Sequence, residues 1–175
     1  LTTFPPSIQN HIKNHTGYTH CSVFHPNQPL LATGFDDTPV IVYDVFTSPP
    51  TIQQHLKHHT GGVISVGFYS IFEFVATGSR AGSRDHSVIL YNVATIPATI
   101  KHRFKNNTNP VSTVAFHPNV ANFASASFGD SICVYNIFIS PPVLQHYSTY
   151  HFNSVLCAVF NPNLPLFIPP VVRII

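Results

Sequence analysis

The chain has 175 residues, 44 % of them hydrophobic, with 15 Phe and 7 Tyr, so it is long enough to bury a sizeable apolar core. Charged residues make up only 8 %, and the formal net charge of +2 comes from 8 basic and 6 acidic side chains spread thinly, which leaves no electrostatic footprint for a nucleic-acid backbone. No apolar run approaches the roughly 18 residues of a helical membrane span, and Cys21, Cys133 and Cys157 are an odd set without metal-ligand spacing, read as buried thiols of an intracellular protein.

Along the chain one phrase recurs: PPSIQNHIKNHTG from Pro5, PPTIQQHLKHHTG from Pro49, PATIKHRFKNNTN from Pro97 and PPVLQHYSTYHFN from Pro141, at spacings of 44, 48 and 44 residues. A period in the forties implies stacked units that complete one another's cores. The repeat units are 5–48, 49–96, 97–140 and 141–175, within one partial domain over 1–175. Each unit holds short runs of Val, Ile, Phe and Tyr separated by Pro, Gly, Asn and Asp, which is strand and turn chemistry. From residue 63 onward, strands are predicted over 63–68, 74–78, 87–93 and 99–104. Four short strands per period imply an all-β chain of four-stranded sheets repeated radially, as in the blades of a propeller.

Equivalent positions form columns. Phe24, Phe68, Phe116 and Phe160 each follow Cys21, Ser65, Thr113 and Cys157 by three residues, a large and small alternation expected to pack between neighbouring blades. Pro26, Pro118 and Pro162 come two residues later, as turn prolines just past a strand, where the second period has Ser70 and a different turn is expected. The last stretch, LPLFIPPVVRII, loses the pattern, and Pro169 and Pro170 bar a regular central strand there. Three full four-stranded blades plus a partial one are therefore expected, as part of a larger ring.

Period, Phe-x-Pro turn and the order His, Asp, aromatic together make the chain resemble the WD-repeat β-propeller family over nearly its whole length. The resemblance implies a buried hydrogen-bonded set in each blade: His15, Thr33, Asp37 and Tyr43 in the first, and His59, Thr77, Asp85 and Tyr91 in the second. The third departs, with Asn107, Ser125, Asp130 one residue late after Gly129, and Tyr135, so an incomplete set is expected there. The family's Trp-Asp ending stands here as Tyr43-Asp44, Tyr91-Asn92 and Tyr135-Asn136.

Twelve histidines invite a metal reading, but their recurrence in columns places them in different blades, and no Cys or carboxylate accompanies them at ligand spacing. No nucleophile elbow, paired catalytic carboxylates or phosphate loop is present, so no enzyme activity and no cofactor are expected. One feature does not repeat, the expansion GSRAGSRD between Thr77 and Asp85: the family's loop arrangement implies that it brings Arg80 and Arg84 toward His58 and His59, as a small cationic patch suited to carboxylate or phosphate groups, the alternative being a solvated loop hinged at Gly78 and Gly82. Phe35 and Phe128, in the equivalent turns of other blades, are candidate apolar contacts on the same face, the alternative for either being to tuck inward. The resemblance implies a scaffold that binds protein partners within a large assembly. The alternatives are a propeller touching nucleic-acid phosphates through Arg80, Arg84 and Arg103, and a ligand-binding or enzymatic propeller that uses its central channel.

Overall fold

Short β-branched and aromatic runs with Pro, Gly and Asn between them leave the chain no stable helix, and none occurs among the described residues. The computed structural model describes residues 10–36, 40–80, 86–149 and 154–163. Blade 1 pairs β1 (Thr19–Phe24), β2 (Leu30–Phe35), β3 (Val40–Asp44) and β4 (Thr51–Leu56) in that order. Blade 2 pairs β5 (Val63–Tyr69), β6 (Phe74–Ser79), β7 (Val88–Asn92) and β8 (Thr99–Phe104). Blade 3 pairs β9 (Val111–Phe116), β10 (Asn122–Ser127), β11 (Ile132–Asn136) and β12 (Val143–Ser148). All neighbours are antiparallel. The expected second-period strands differ from those observed by one residue at most at either end, and 99–104 coincides with β8.

The blades stack through their faces, with β1 beside β5 and β5 beside β9, so the first strands line one side and β4, β8 and β12 lie outermost. The middle strands are covered on both faces, which is why β3, β7 and β11 read as unbroken apolar runs. Period-two alternation then sends successive residues into different cores: Ile89 and Tyr91 pack against blade 1, while Val88 and Leu90 pack against blade 3. The outermost strands are largely exposed and polar, which keeps their free edges from recruiting another chain.

Two irregularities repeat in every blade. His20, Ile64 and Ser112 are extra residues on the first strand, and Gln53, Lys101 and Gln145 are extra residues on the fourth. The blades also interlock through small residues on the second strand. A Cβ on Gly34 would meet the Cys21 sulfur at 2.7 Å and the Val63 carbonyl oxygen at 2.9 Å, and one on Gly78 would meet Val111 Cγ1 at 2.5 Å. Ala126 takes that place in blade 3, clustered with Ile132, Val155 and Ala158. The backbone amide of Val155 reaches the carbonyls of Ser127 (3.1 Å) and Gly129 (3.2 Å), so 154–163 lies where β5 and β9 lie on the preceding blades, although no strand is assigned to it. Residues 164–175, with Pro169 and Pro170, fall outside the described residues.

The Phe column divides. Phe68 is buried against His25, Phe116 stacks on Tyr69, and Phe160 packs on His117, each therefore touching the blade before its own. Phe24 is 65 % exposed, because among the described residues no blade lies against that face. The cysteines divide as well. Cys133 is buried, Cys21 is half-buried between blades 1 and 2, and Cys157 is exposed, contrary to the expectation that all three are buried. Burial pushes the Cys21 thiol up to about 12 and raises that of Cys133, so both stay protonated at neutral pH.

Candidate interaction surface

A threonine in the second strand of a blade has its hydroxyl beside the third strand, and here Thr33 donates to the Ile41 carbonyl at 3.3 Å and Thr77 to that of Ile89 at 3.4 Å. With each hydroxyl proton so used, its oxygen accepts from the histidine of the preceding loop: Thr33 lies 3.4 Å from His15 Nε2, and Thr77 lies 2.7 Å from His59 Nε2. The Tyr43 hydroxyl is 3.2 Å from the same His15 nitrogen. In blade 3, Asn107 and Ser125 form a reciprocal pair at 3.1 and 3.3 Å, and Tyr135 donates to Asn106 at 3.2 Å. Asp130 is exposed and stands outside that pair, while Asp37 and Asp85 fall outside the described residues. Burial pushes the phenols of Tyr43 and Tyr135 upward, so both stay protonated at neutral pH.

The β2–β3, β6–β7 and β10–β11 turns share one face with the loops that precede β1, β5 and β9, and the two kinds are tied together. Backbone amides of Asp36, Arg80 and Phe128, equivalent in the three blades, donate to the carbonyls of Tyr18 (3.2 Å), Gly62 (2.8 Å) and Pro110 (2.9 Å). The side chains there differ sharply. Asp36 pairs with His20 at 2.5 Å, Arg80 is exposed, and Phe128 is 40 % exposed. His58 is exposed on the adjoining loop, its ring beside Tyr91, whereas His59 points into the blade. Arg84 falls outside the described residues.

Phe35 does not belong to this surface. It is the last residue of β2, one position before the equivalent of Phe128, and that single step turns it inward to stack on His15 with 3 % exposure. Arg103 is also committed internally, since Nη2 donates to the His58 carbonyl at 3.0 Å and Nη1 to the Ser87 hydroxyl at 3.2 Å. Among the described residues no three potential metal ligands converge, and no helix is long and apolar enough to cross a membrane.

The repeated blades, with their His–Thr and Asn–Ser pairs, correspond to three matched stretches. The family model described as WD domain, G-beta repeat matches residues 6–44, 50–92 and 98–136. The chain belongs to the WD-repeat family. By shape it is similar to the crystal structure of Saccharomyces cerevisiae Sqt1, with a TM-score of 0.76 and 20 % identity, over 86 % of this chain and 40 % of that one. It is also similar to a chain in the crystal structure of the mitotic checkpoint complex, with a TM-score of 0.73 and 18 % identity, over 85 % of this chain and 44 % of that one. The WD-repeat chain thus spans less than half the length of either. No curated protein matches it by sequence.

A second set of contacts in these WD repeats left only a partial trace in the sequence, the Phe-x-Pro turn itself. The residue between Phe and Pro caps its own turn: His25 Nδ1 accepts from the amides of Asn27 (3.1 Å) and Gln28 (3.0 Å), His117 Nδ1 from Asn119 (3.1 Å), and Asn161 Oδ1 from Asn163 (2.9 Å). Burial lowers the pKa of both His25 and His117, consistent with rings that must keep Nδ1 unprotonated. These turns also hold one another across blades. Asn27 donates to the Ser70 carbonyl (3.2 Å), the Ser70 hydroxyl to the Pro118 carbonyl (3.0 Å), and Asn119 to the Pro162 carbonyl (3.0 Å). Ser70, standing where the other turns have proline, is therefore a link in that series.

Proposed function

We propose that this chain is a non-catalytic scaffold, residues 1–175 forming part of a single β-propeller domain that docks protein segments on its loop-bearing face as a subunit of a multiprotein assembly. The observation that carries this reading is the fixed, divergent row at Asp36, Arg80 and Phe128. Three equivalent backbone positions are held by equivalent hydrogen bonds, yet they present a carboxylate, a guanidinium and an aromatic ring. Backbone positions already held by such bonds lose little entropy on binding, and differing side chains at equivalent positions supply specificity. Arg80, with Arg84 and His58, suits an acidic partner segment, and Phe128 gives it an apolar anchor. The internal engagement of Arg103 removes one of the three arginines that a phosphate-contacting alternative needs.

Cross-linking with an amine-reactive reagent in a gently isolated native assembly tests the reading. Lys57 and Lys105, on the loops of this face, are expected to link to other protein chains, and Arg80→Glu with Arg84→Glu is expected to weaken that association about tenfold or more. Recovery of the chain alone, or association indifferent to both charge reversals, would count against it.

A further inference from the structure

The opposite face carries a surface of a different kind. There the β1–β2, β5–β6 and β9–β10 turns meet the β3–β4, β7–β8 and β11–β12 turns. The amides of Val45, Val93 and Ile137 fasten each pair by donating to the carbonyls of Pro29, Glu73 and Ala121 at 2.8 Å. On this rigid platform Phe46 (86 %), Phe138 (79 %) and Ile96 (74 %) project into solvent, and Ile71, Phe72 and Ile139 are about half exposed. Packing within the chain does not call for six large apolar side chains on one exposed face, and such a patch marks an interaction site.

Between successive blades this face holds two equivalent clefts with different linings. The first, about 290 Å³, has an apolar floor of Leu30 and Val93 and a rim with Asp44, Gln53 and Glu73. The second, about 180 Å³, is lined by Phe72, Phe74, Ala121, Ile137 and Phe138, with Lys101 at its edge. Gln53 and Lys101 are the extra residues of β4 and β8, so the same bulge aims an amide into one cleft and an ammonium into the other. Position for position, Glu73 in the first becomes Ala121 in the second, and Ala94 becomes Phe138. The fold requires the backbone at these places; it does not require these side chains.

A single hairpin separates the clefts, because alternate residues point to opposite sides: Glu73 lines the first, Phe72 and Phe74 the second. No cationic side chain lines the acidic cleft, and neither Asp44 nor Glu73 forms a salt bridge among the described residues. Glu73 accepts one bond from Gln28 at 3.2 Å, and Asp44 accepts the Phe46 amide at 2.8 Å. Two carboxylates over an apolar floor fit a side chain with an aliphatic stem and a cationic head. In the second cleft Lys101, held 4.9 Å from the centre of the Phe74 ring, repels a second cation while the walls accept an apolar group.

We propose that this face binds an extended protein segment that crosses the Ser70–Glu73 turn, placing a Lys or Arg between Asp44 and Glu73 and a large aliphatic or aromatic side chain against Phe72 and Phe138. Sheets stack about 10 Å apart and an extended chain advances about 3.3 Å per residue, so the two anchors lie about three residues apart in the segment. The surface is separate from that of Arg80 and does not depend on it.

Random dodecapeptides displayed on phage and selected against the whole chain, then synthesised, test the proposal. An enriched class should pair Arg or Lys with Leu, Ile or Phe about three positions away, and its Kd should rise about tenfold or more for Glu73→Lys and for Phe138→Ser, with Arg80→Glu unchanged. Both positions are exposed, and Ala94→Lys, also at an exposed position, puts a cation into the first cleft without deleting a folded contact and should weaken binding equally. Selections that enrich nothing, or peptides indifferent to all three variants, overturn the proposal. So does binding to vesicles of phosphatidylcholine and phosphatidylserine that Phe138→Ser abolishes, which assigns the face to a lipid surface. Concentration-dependent self-association lost in the same variant would assign it to a second copy of the chain and likewise overturn it.

Discussion

Replacing Gly78 by alanine tests how closely the blades interlock. The new methyl would lie 2.5 Å from Val111 Cγ1, 3.1 Å from Val111 Cβ and 3.4 Å from Val114 Cγ1, where carbon atoms prefer about 3.5–4.0 Å. Val111 is fully buried in the core between blades 2 and 3, so it must change rotamer or the blades must part. Either route costs about 1–3 kcal/mol as overpacking, and at roughly 2–4 °C per kcal/mol the midpoint of thermal unfolding should fall by about 2–12 °C. Val111→Ala alone removes two buried carbons and costs roughly 2 kcal/mol, with the cavity included. In the double variant the alanine methyl occupies the space Cγ1 has left. Urea unfolding followed by tyrosine fluorescence, suited to a chain with no Trp and with Tyr43, Tyr69, Tyr91 and Tyr135 fully buried, should show the two changes coupling by about 1 kcal/mol or more in the favourable direction. Additive costs, or a neutral Gly78→Ala, would refute the close-approach argument. Ala126 and Val155 already share a cluster at the next interface, so the position calls for a small side chain and the cost at Gly78 arises from the nearness of Val111.

Thr77→Val keeps the shape of the side chain but deprives buried His59 and the Ile89 carbonyl of their hydroxyl partner; a loss of about 1–3 kcal/mol is expected in calorimetry, and an unchanged midpoint would show that the pair contributes nothing to stability. The turn caps His25 and His117 have their pKa values lowered by burial, with the Glu73 carboxylate partly opposing this at His25, so below about pH 6.5 the unfolded chain binds more protons than the folded one. Stability should hold above that pH and decline as the pH falls through the folded values. Converting both to Asn, the residue that caps the equivalent turn at Asn161, should flatten that decline in urea titrations from pH 7 to pH 5, and an unaltered slope would rule the caps out as its cause.

Strand chemistry was plain in the sequence because it is local. The runs VIVYD, VILYN and ICVYN carry the β-branched and aromatic chemistry of strands between turn residues, and the recurring Pro-rich phrase marked each blade's outer strand and following loop. The partners Thr33 with His15, and Thr77 with His59, were legible through the resemblance to the WD-repeat family. Legibility failed where one step along a strand reverses a side chain. Phe35 and Phe128 look interchangeable in sequence, yet one is core and the other surface. It failed again at His25, His117 and Asn161, whose shared role as turn caps is visible only once a nitrogen or oxygen is seen to accept a neighbouring amide.

The amino-acid order alone determined the repeat, the four-stranded unit and the absence of a helical alternative, since these follow from residue types and periods within a few positions of one another. Tertiary structure decided which small residue touches the next blade, where each fourth strand bulges, and that Glu73 and Phe72, adjacent in sequence, line different clefts. The bulges arise from pairing between strands about a dozen positions apart, and the close approaches and clefts from contacts between residues about 30 positions apart or more, whose geometry exists only after the sheets have stacked.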